Sequence, residues 1–279
     1  MSSSVGTGLL RRVVRGLLPA RTRRFLNFVA LSLDQATPPD LVDVPAVRSV
    51  LVLAPHPDDE VIGCGGSLYL HNRAGASVTV VYMTDGRRGS LRLQGNGPRD
   101  VEREAFQEEL IQARKAEAAA ASQILGVGEL VFLDYPDGAL HLSAETVRRM
   151  RNLLVMHRPD AVYLPFPTDR QRDHVETARI FSAAVGEGTD SCQVFAYEVW
   201  SPLYPNCMVD IGDVVEVKRK ALLQFATQLA DNDFARSILG LNAYRAAFYL
   251  RGRGYAEAFF RCSPREFRRL CWHLVGGAP

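Results

Sequence analysis

The sequence is short of lysine. Only Lys115, Lys218 and Lys220 stand among its 33 basic residues, and the rest are arginine. That skew reads as codon composition rather than as function. A dominant charge sign is missing too: the formal net charge is +2, so the field of the whole molecule is weak and nucleic acid is not an expected partner. Cysteine is sparse and odd in number (Cys64, Cys192, Cys207, Cys262, Cys271), and no CxxC pair occurs. A disulfide framework is therefore not expected, and a reducing, cytoplasmic setting fits. No stretch reaches the ~18 consecutive apolar residues of a membrane span. There is no internal repeat and no low-complexity tract.

What remains is the balance of an ordinary globular chain: 279 residues, 47% hydrophobic and 23% charged. Its ends differ from its middle. Before the first acid, Asp34, arginines occupy 11, 12, 15, 21, 23 and 24. With helical spacing, Leu9, Leu10, Val13, Val14, Leu17 and Leu18 share one face and Arg11, Arg12 and Arg15 the other, until Pro19 breaks the pattern. Residues 1–34 thus read as a basic amphipathic arm. Three readings stay open for it: a cover for part of the domain, a transit-type segment, or a peripheral contact with an anionic membrane through residues 9–24. Residues 35–47, rich in Pro and Asp, read as a linker, and 48–279 as a single domain.

Within that domain, apolar β-branched runs alternate with helical patterns. RSVLVLAP, SVTVVYMT, ELVFLDYP, DAVYLPFP, QVFAYEVW and NCMVDI read as strands. The segments from 61, 101, 143, 173 and 214 read as helices, the last continuous over 214–230. The tail beyond is Arg-rich and mixed. Such alternation predicts a Rossmann-like α/β fold, a mostly parallel sheet with helices on both faces.

In such sheets, ligands bind beyond the carboxyl ends of strands. Two strand ends carry suitable residues. The first strand runs into HPDDE, where His56, Asp58, Asp59 and Glu60 crowd four titratable groups into five residues. Adjacent carboxylates repel unless a cation or donors compensate. A metal resolves this: His56 and one of the two aspartates can bind it, and His174, in TDRQRDH after the fourth strand, can supply a third ligand. Two histidines and a carboxylate form a catalytic set for Zn²⁺, with non-haem Fe²⁺ as the alternative. Neighbouring residues in a turn point apart, so Asp58 and Asp59 should divide the work between binding the metal and acting as general base. Spacing alone does not say which does which.

HPDDE after the first strand, the Arg114/Glu117 pair, YPDG at 135–138 and the late Asp173-His174 together resemble the LmbE/PIG-L family, metal-dependent deacetylases of N-acetylglucosamine derivatives. The similarity runs over roughly residues 48–260. It implies a zinc site of His56, Asp59 and His174, Asp58 as base, and Arg114 holding a sugar hydroxyl, with Asp137 a looser candidate for the same work. The implied reaction is hydrolysis of an N-acetyl group from an amino sugar.

One residue departs from the pattern. The resembling family commonly has a histidine where this chain has Gln171, and the resemblance gives that histidine a cationic role. Glutamine can donate a hydrogen bond to an oxyanion but cannot deliver a proton. The acid's work then falls to Asp58, or the chain is a weakened family member that binds a sugar or a partner at a membrane. A third reading keeps the enzyme but gives it a larger N-acyl group. Asp173 orients a ligand or Gln171 from behind, caps the following helix, or does both. Arg87 and Arg88, in the Gly/Arg loop 85–99, suit a phosphate- or nucleotide-linked sugar, or are simply solvated. Cys64 and the remaining histidines read as packing or surface residues.

Overall fold

A computed structural model of the chain describes residues 39–93, 100–186, 189 and 192–276, with Pro19 and Thr22 as isolated positions. Apart from those two, the arm over 1–34 lies outside the described residues. Eight strands form one sheet: β1 (Asp40–Val42), β2 (Ser49–Ala54), β3 (Ser77–Thr84), β4 (Glu129–Tyr135), β5 (Ala161–Pro165), β6 (Gln193–Tyr197), β7 (Cys207–Asp210) and β8 (Ala256–Cys262). Their order is β1-β7-β8-β6-β5-β2-β3-β4. All pairings are parallel except those of β8, which runs antiparallel to β6 and β7. The helices are α1 (Asp59–Arg73), α2 (Asp100–Leu125), α3 (Ala144–His157), α4 (Arg172–Ala184), α5 (Val215–Leu222), α6 (Ala226–Leu229), α7 (Phe234–Tyr249) and α8 (Pro264–Val275).

The apolar runs are continuous because both faces of the sheet are covered. In β2, Val50, Val52 and Ala54 pack on one side with Leu68, Ala118 and Leu222. Leu51 and Leu53 pack on the other with Met150, Phe181 and Phe267. Two large clusters result, one under α1, α2 and α5, the other under α3, α4 and α8, with a small third where β7 and β8 meet α7. Close packing of α1 on the sheet requires glycine at one position: a Cβ on Gly63 would collide with the Tyr197 ring of β6.

Three expectations differ from the observed elements. Residues 40–42, inside the stretch read as a linker, form the edge strand β1; three residues carry too little pattern to read. The mixed tail contains β8, whose apolar run is interrupted by Glu257, a residue fully buried in the structure. The helix expected over 214–230 divides into α5 and α6. Phe225 leaves helical geometry (φ −83°, ψ 61°) to bury its ring completely. The Glu117 carboxylate then accepts from the Thr227 amide at 2.8 Å and its hydroxyl at 2.7 Å, holding the start of α6.

Candidate active site

β2 pairs with β3 on one side and β5 on the other. Chain connections leave these strands in opposite directions, which opens a crevice at their carboxyl ends. HPDDE follows β2 and TDRQRDH follows β5, so the topology brings both segments to that crevice.

The turn into α1 is strained. Asp58 has φ 135°, in the region L-residues rarely adopt. Its neighbours hold it there. Its amide donates to Glu60 Oε2 at 3.1 Å, and Glu60 Oε1 accepts from the Tyr82 hydroxyl at 2.9 Å. Arg114 Nη2 donates to Pro57 O at 2.6 Å, and Nη1 to Gly86 O at 3.0 Å. The strain sends the two aspartates apart. Asp58 Oδ2 meets Arg114 Nη2 at 3.1 Å. Asp59 Oδ2 lies 3.1 Å from His56 Nδ1 and 3.1 Å from His174 Nε2.

These three atoms form a triangle whose third side, His56 Nδ1 to His174 Nε2, is 3.3 Å. Ligands about 2.1 Å from a tetrahedral ion lie about 3.4 Å from one another, so the donor set matches one ion in size and chemistry. All three residues are buried. A second cluster surrounds the other nitrogen of His56: Nε2 lies 3.3 Å from Asp137 Oδ1 and 3.3 Å from Asp173 Oδ2. Backbone amides already serve those carboxylates. Gly138 donates to Asp173 Oδ2 at 2.6 Å and Arg88 to Asp137 Oδ2 at 3.1 Å. Both carboxylates stand where they can accept a proton from His56 Nε2.

Asp173 does not cap α4. Gln171 does, its Oε1 accepting from the Asp173 amide at 3.0 Å. That leaves Gln171 Nε2 as the free end, 3.4 Å from His56 Nε2. With Nδ1 on a metal, His56 Nε2 carries hydrogen, so these two donors do not bond and the amide is available to the cavity. Asp169 stands behind His174, its Oδ1 3.6 Å from Nδ1. The sequence offered a signal for Asp169, a second aspartate in the same TDRQRDH stretch, but nothing to distinguish it from a turn residue.

Burial sets the protonation of the acids. It lifts Asp58 to about 7 against the attraction of Arg114. It also resists ionisation of Asp59, yet His174 and His56 outweigh it and hold that carboxyl far below the usual range. Burial disfavours a charged His174, but Asp59 and Asp169 raise it to about 9. Metal uptake must therefore displace protons.

The acids face a cavity of about 470 Å³ lined in part by His56, Asp58, Arg88, Gln171, Trp200 and Gln228. Arg88 crosses Gly138, where a Cβ would strike the guanidinium and φ is +81°. Arg87 instead turns to Asp85, its Nη2 2.6 Å from Oδ2, and is not among the lining residues. Asp137 lines the cavity with its Oδ1 directed at His56 Nε2, 3.3 Å away. Glu117, paired in sequence with Arg114, serves α6. Cys64 is packed, its Sγ 3.3 Å from Glu60 O. Trp200 and Gln228 came from parts of the sequence that showed no motif.

Residues 51–185 match the family model PIG-L, described as GlcNAc-PI de-N-acetylase. The chain carries a PIG-L domain. The diacetylchitobiose deacetylase of Thermococcus kodakarensis is 27% identical over 249 residues, 81% of this chain and 86% of that protein. Among solved structures, the N,N'-diacetylchitobiose deacetylase of Pyrococcus horikoshii superposes with TM-score 0.66 at 24% identity, covering 78% of this chain and 85% of the other. GalB of Pseudomonas putida KT2440, a 4-carboxy-2-hydroxymuconate hydratase, gives TM-score 0.62 at 25% identity, covering 78% and 97%. The PIG-L domain thus sits in a fold that carries more than one chemistry, and the site must decide. Among the described residues, no helix is long and apolar enough to cross a membrane.

Proposed function

We propose that this protein is a metal-dependent hydrolase that removes the N-acetyl group from a GlcNAc-type amino sugar. The observation that carries this reading is the His56–Asp59–His174 triangle, sized for one ion, with the separate carboxylate Asp58 in the same cavity. His56 Nδ1, Asp59 and His174 Nε2 would hold the metal, zinc by donor set, with ferrous iron accepting the same ligands. When bound, it supplies a Lewis acid that lowers the pKa of a water and polarises the acetyl carbonyl.

The chain's own residues do the rest. Asp58, lifted to about 7, accepts a proton from the attacking water. A base near neutrality can also return that proton. Collapse of the tetrahedral intermediate breaks the C–N bond, and Asp58 gives the proton to the departing nitrogen, leaving acetate and amine. Gln171 Nε2 donates to the developing oxyanion, help worth about 2–3 kcal/mol when well placed. Asp137 and Asp173 keep His56 in the tautomer that offers Nδ1, and Asp169, facing His174 Nδ1, favours the tautomer that offers Nε2. Arg114 aims Asp58, and its contact with a sugar hydroxyl is secondary. Arg88 faces the hydroxyls or a phosphate of the substrate, while Arg87 supports Asp85.

The purified protein should bind about one zinc per chain, release acetate from an N-acetyl sugar panel, and lose activity to chelator with recovery on Zn²⁺ or Fe²⁺. A protein that hydrates an unsaturated acid and frees no acetate would follow the GalB likeness instead. The arm over 1–34 adds peripheral contact with anionic membranes in this reading. Liposome co-sedimentation with and without those residues tests that part alone.

A further inference from the structure

The amino ends of the strands carry a second cavity, at the opposite edge of the sheet from the catalytic one. Arg48 precedes β2, Arg158 and Asp160 precede β5, and Cys192 precedes β6, three strands that run parallel. With the ends of α3 and α4 these residues enclose about 840 Å³. The six residues of β2, roughly 20 Å of strand, separate this cavity from HPDDE.

Its lining is basic. Arg48, Arg151 and Arg158 meet one carboxylate, Asp160, among the described lining residues. Backbone already holds that carboxylate: Oδ2 accepts from the amides of Arg48 at 2.9 Å and Ser49 at 3.2 Å. Arg151 also donates from Nη2 to Ala183 O at the end of α4, 3.1 Å away. Three guanidinium groups around one hollow suit the oxygens of a phosphate, which accept from planar donors in pairs.

The rim adds an apolar contact. Val155 and Met156, near the end of α3, are 70% and 73% exposed. Arg148, Arg151 and Val155 stand at i, i+3 and i+7 and so share one face of that helix. Adjacent aliphatic side chains left in water beside arginines are the composition of a surface that enters a lipid headgroup layer, with the cations at the phosphates and the short chains just beneath. The remainder of the chain arrives at the same edge. β1 begins at Asp40 and runs in the direction of β7, hence of β6. The residues before Asp40, with arginines at 11, 12, 15, 21, 23 and 24, therefore join the domain at the amino ends of the strands.

We infer that this edge of the domain is the docking face for an anionic phospholipid bilayer, its cavity taking a headgroup phosphate while Val155 and Met156 enter the layer. The catalytic crevice, at the carboxyl ends of the strands, then opens away from the bilayer and towards water. The inference goes beyond the deacetylase reading and does not depend on which bond is cleaved.

The test sediments the full chain with vesicles of phosphatidylcholine alone, and of phosphatidylcholine with about one third phosphatidylglycerol. The unaltered protein should bind the anionic vesicles and leave the neutral ones. The variant Arg48→Gln/Arg151→Gln/Arg158→Gln, with residues 1–34 intact, should bind them on the order of tenfold or more weakly. The variant Arg48→Lys/Arg151→Lys/Arg158→Lys should keep most of the binding. Hydrogen exchange on the unaltered chain is the second readout, and it decides the matter even where a variant does not fold: anionic vesicles should slow exchange over residues 151–160. Unchanged binding by the folded glutamine variant overturns the inference, as does protection confined to residues 1–34, since the arm then binds alone. Protection of 151–160 by inorganic phosphate but not by vesicles would make the cavity a site for a soluble phosphate ester and overturn the bilayer. A drop in assembly mass in Val155→Ser/Met156→Ser, measured without lipid, would make those side chains a subunit contact and overturn it too. Absence of acetate release would sink the deacetylase reading and leave each of these outcomes as decisive as before.

Discussion

Replacing Lys218 by Met should be the most damaging single change outside the candidate site. Lys218 and Glu257 are both fully buried, and Nζ lies 2.6 Å from Oε1. Nζ also donates to Ile62 O at 2.9 Å. Glu257 in turn serves a defect in α1. Cys64 is non-helical there (φ −147°, ψ 17°), so the second half of that helix starts with amides that lack carbonyl partners. Glu257 accepts from the Gly66 and Ser67 amides, both at 2.8 Å, and from the Ser67 hydroxyl at 2.6 Å. Lys218→Met removes the cation and strands that carboxylate in the core. Losing one partner of such a pair costs about 3–5 kcal/mol, a large share of the roughly 5–15 kcal/mol that holds a typical domain together. Glu257→Gln should cost a similar amount, since it leaves the ammonium without a counter-charge. The double variant should cost clearly less than the two singles summed, because neither charge is then alone. Urea denaturation of the four proteins, with unchanged slopes, supplies the cycle. Singles that each lose less than about 1 kcal/mol, or losses that simply add, would refute the argument that a buried, mutually dependent pair braces the kink.

Asp58→Asn should keep the bound metal and lower kcat by about a hundredfold or more, read by zinc content and acetate release; full activity would remove Asp58 from the proton path. Gln171→Ala should lower kcat by about tenfold to a hundredfold through the lost donor, and cost about 1 kcal/mol through the lost cap of α4. Gln171→His should add or shift a titrating limb in the pH–rate profile, and an unchanged profile would separate residue 171 from the proton traffic. His71, buried with Nε2 2.8 Å from the Tyr163 hydroxyl, is pushed down by burial to about 4. The unfolded chain takes up its proton near 6.5, the folded chain only near 4. Stability should therefore fall as pH drops through that window, by up to about 3 kcal/mol. His71→Gln should flatten this limb in denaturation curves at pH 4 and 7, and an identical pH dependence would contradict the assignment.

Continuous apolar runs in β2, β3 and β5 and helical spacing in α3 were strong enough to read directly, because strands buried on both faces leave few choices of residue. β1 was too short to register. β8 was hidden by Glu257, a charge that makes sense only beside Lys218 from another element. The division of α5 from α6 turned on where one phenylalanine found space.

The site divides the same way. HPDDE and Asp173-His174 declared a metal ligand set because close carboxylates and histidines are costly without one, and that much is local chemistry. Which neighbours govern them is not local. Asp137 and Asp173 converge on His56 from the turn after β4 and from the first turn of α4, Asp169 backs His174, and Gln171 divides its amide between a helix end and the cavity. Sequence determined the kinds of groups and the strand ends that carry them. The tertiary structure decided which atoms meet, because side-chain contacts between residues a hundred positions apart follow from strand order and packing, and neither is written in spacing along the chain.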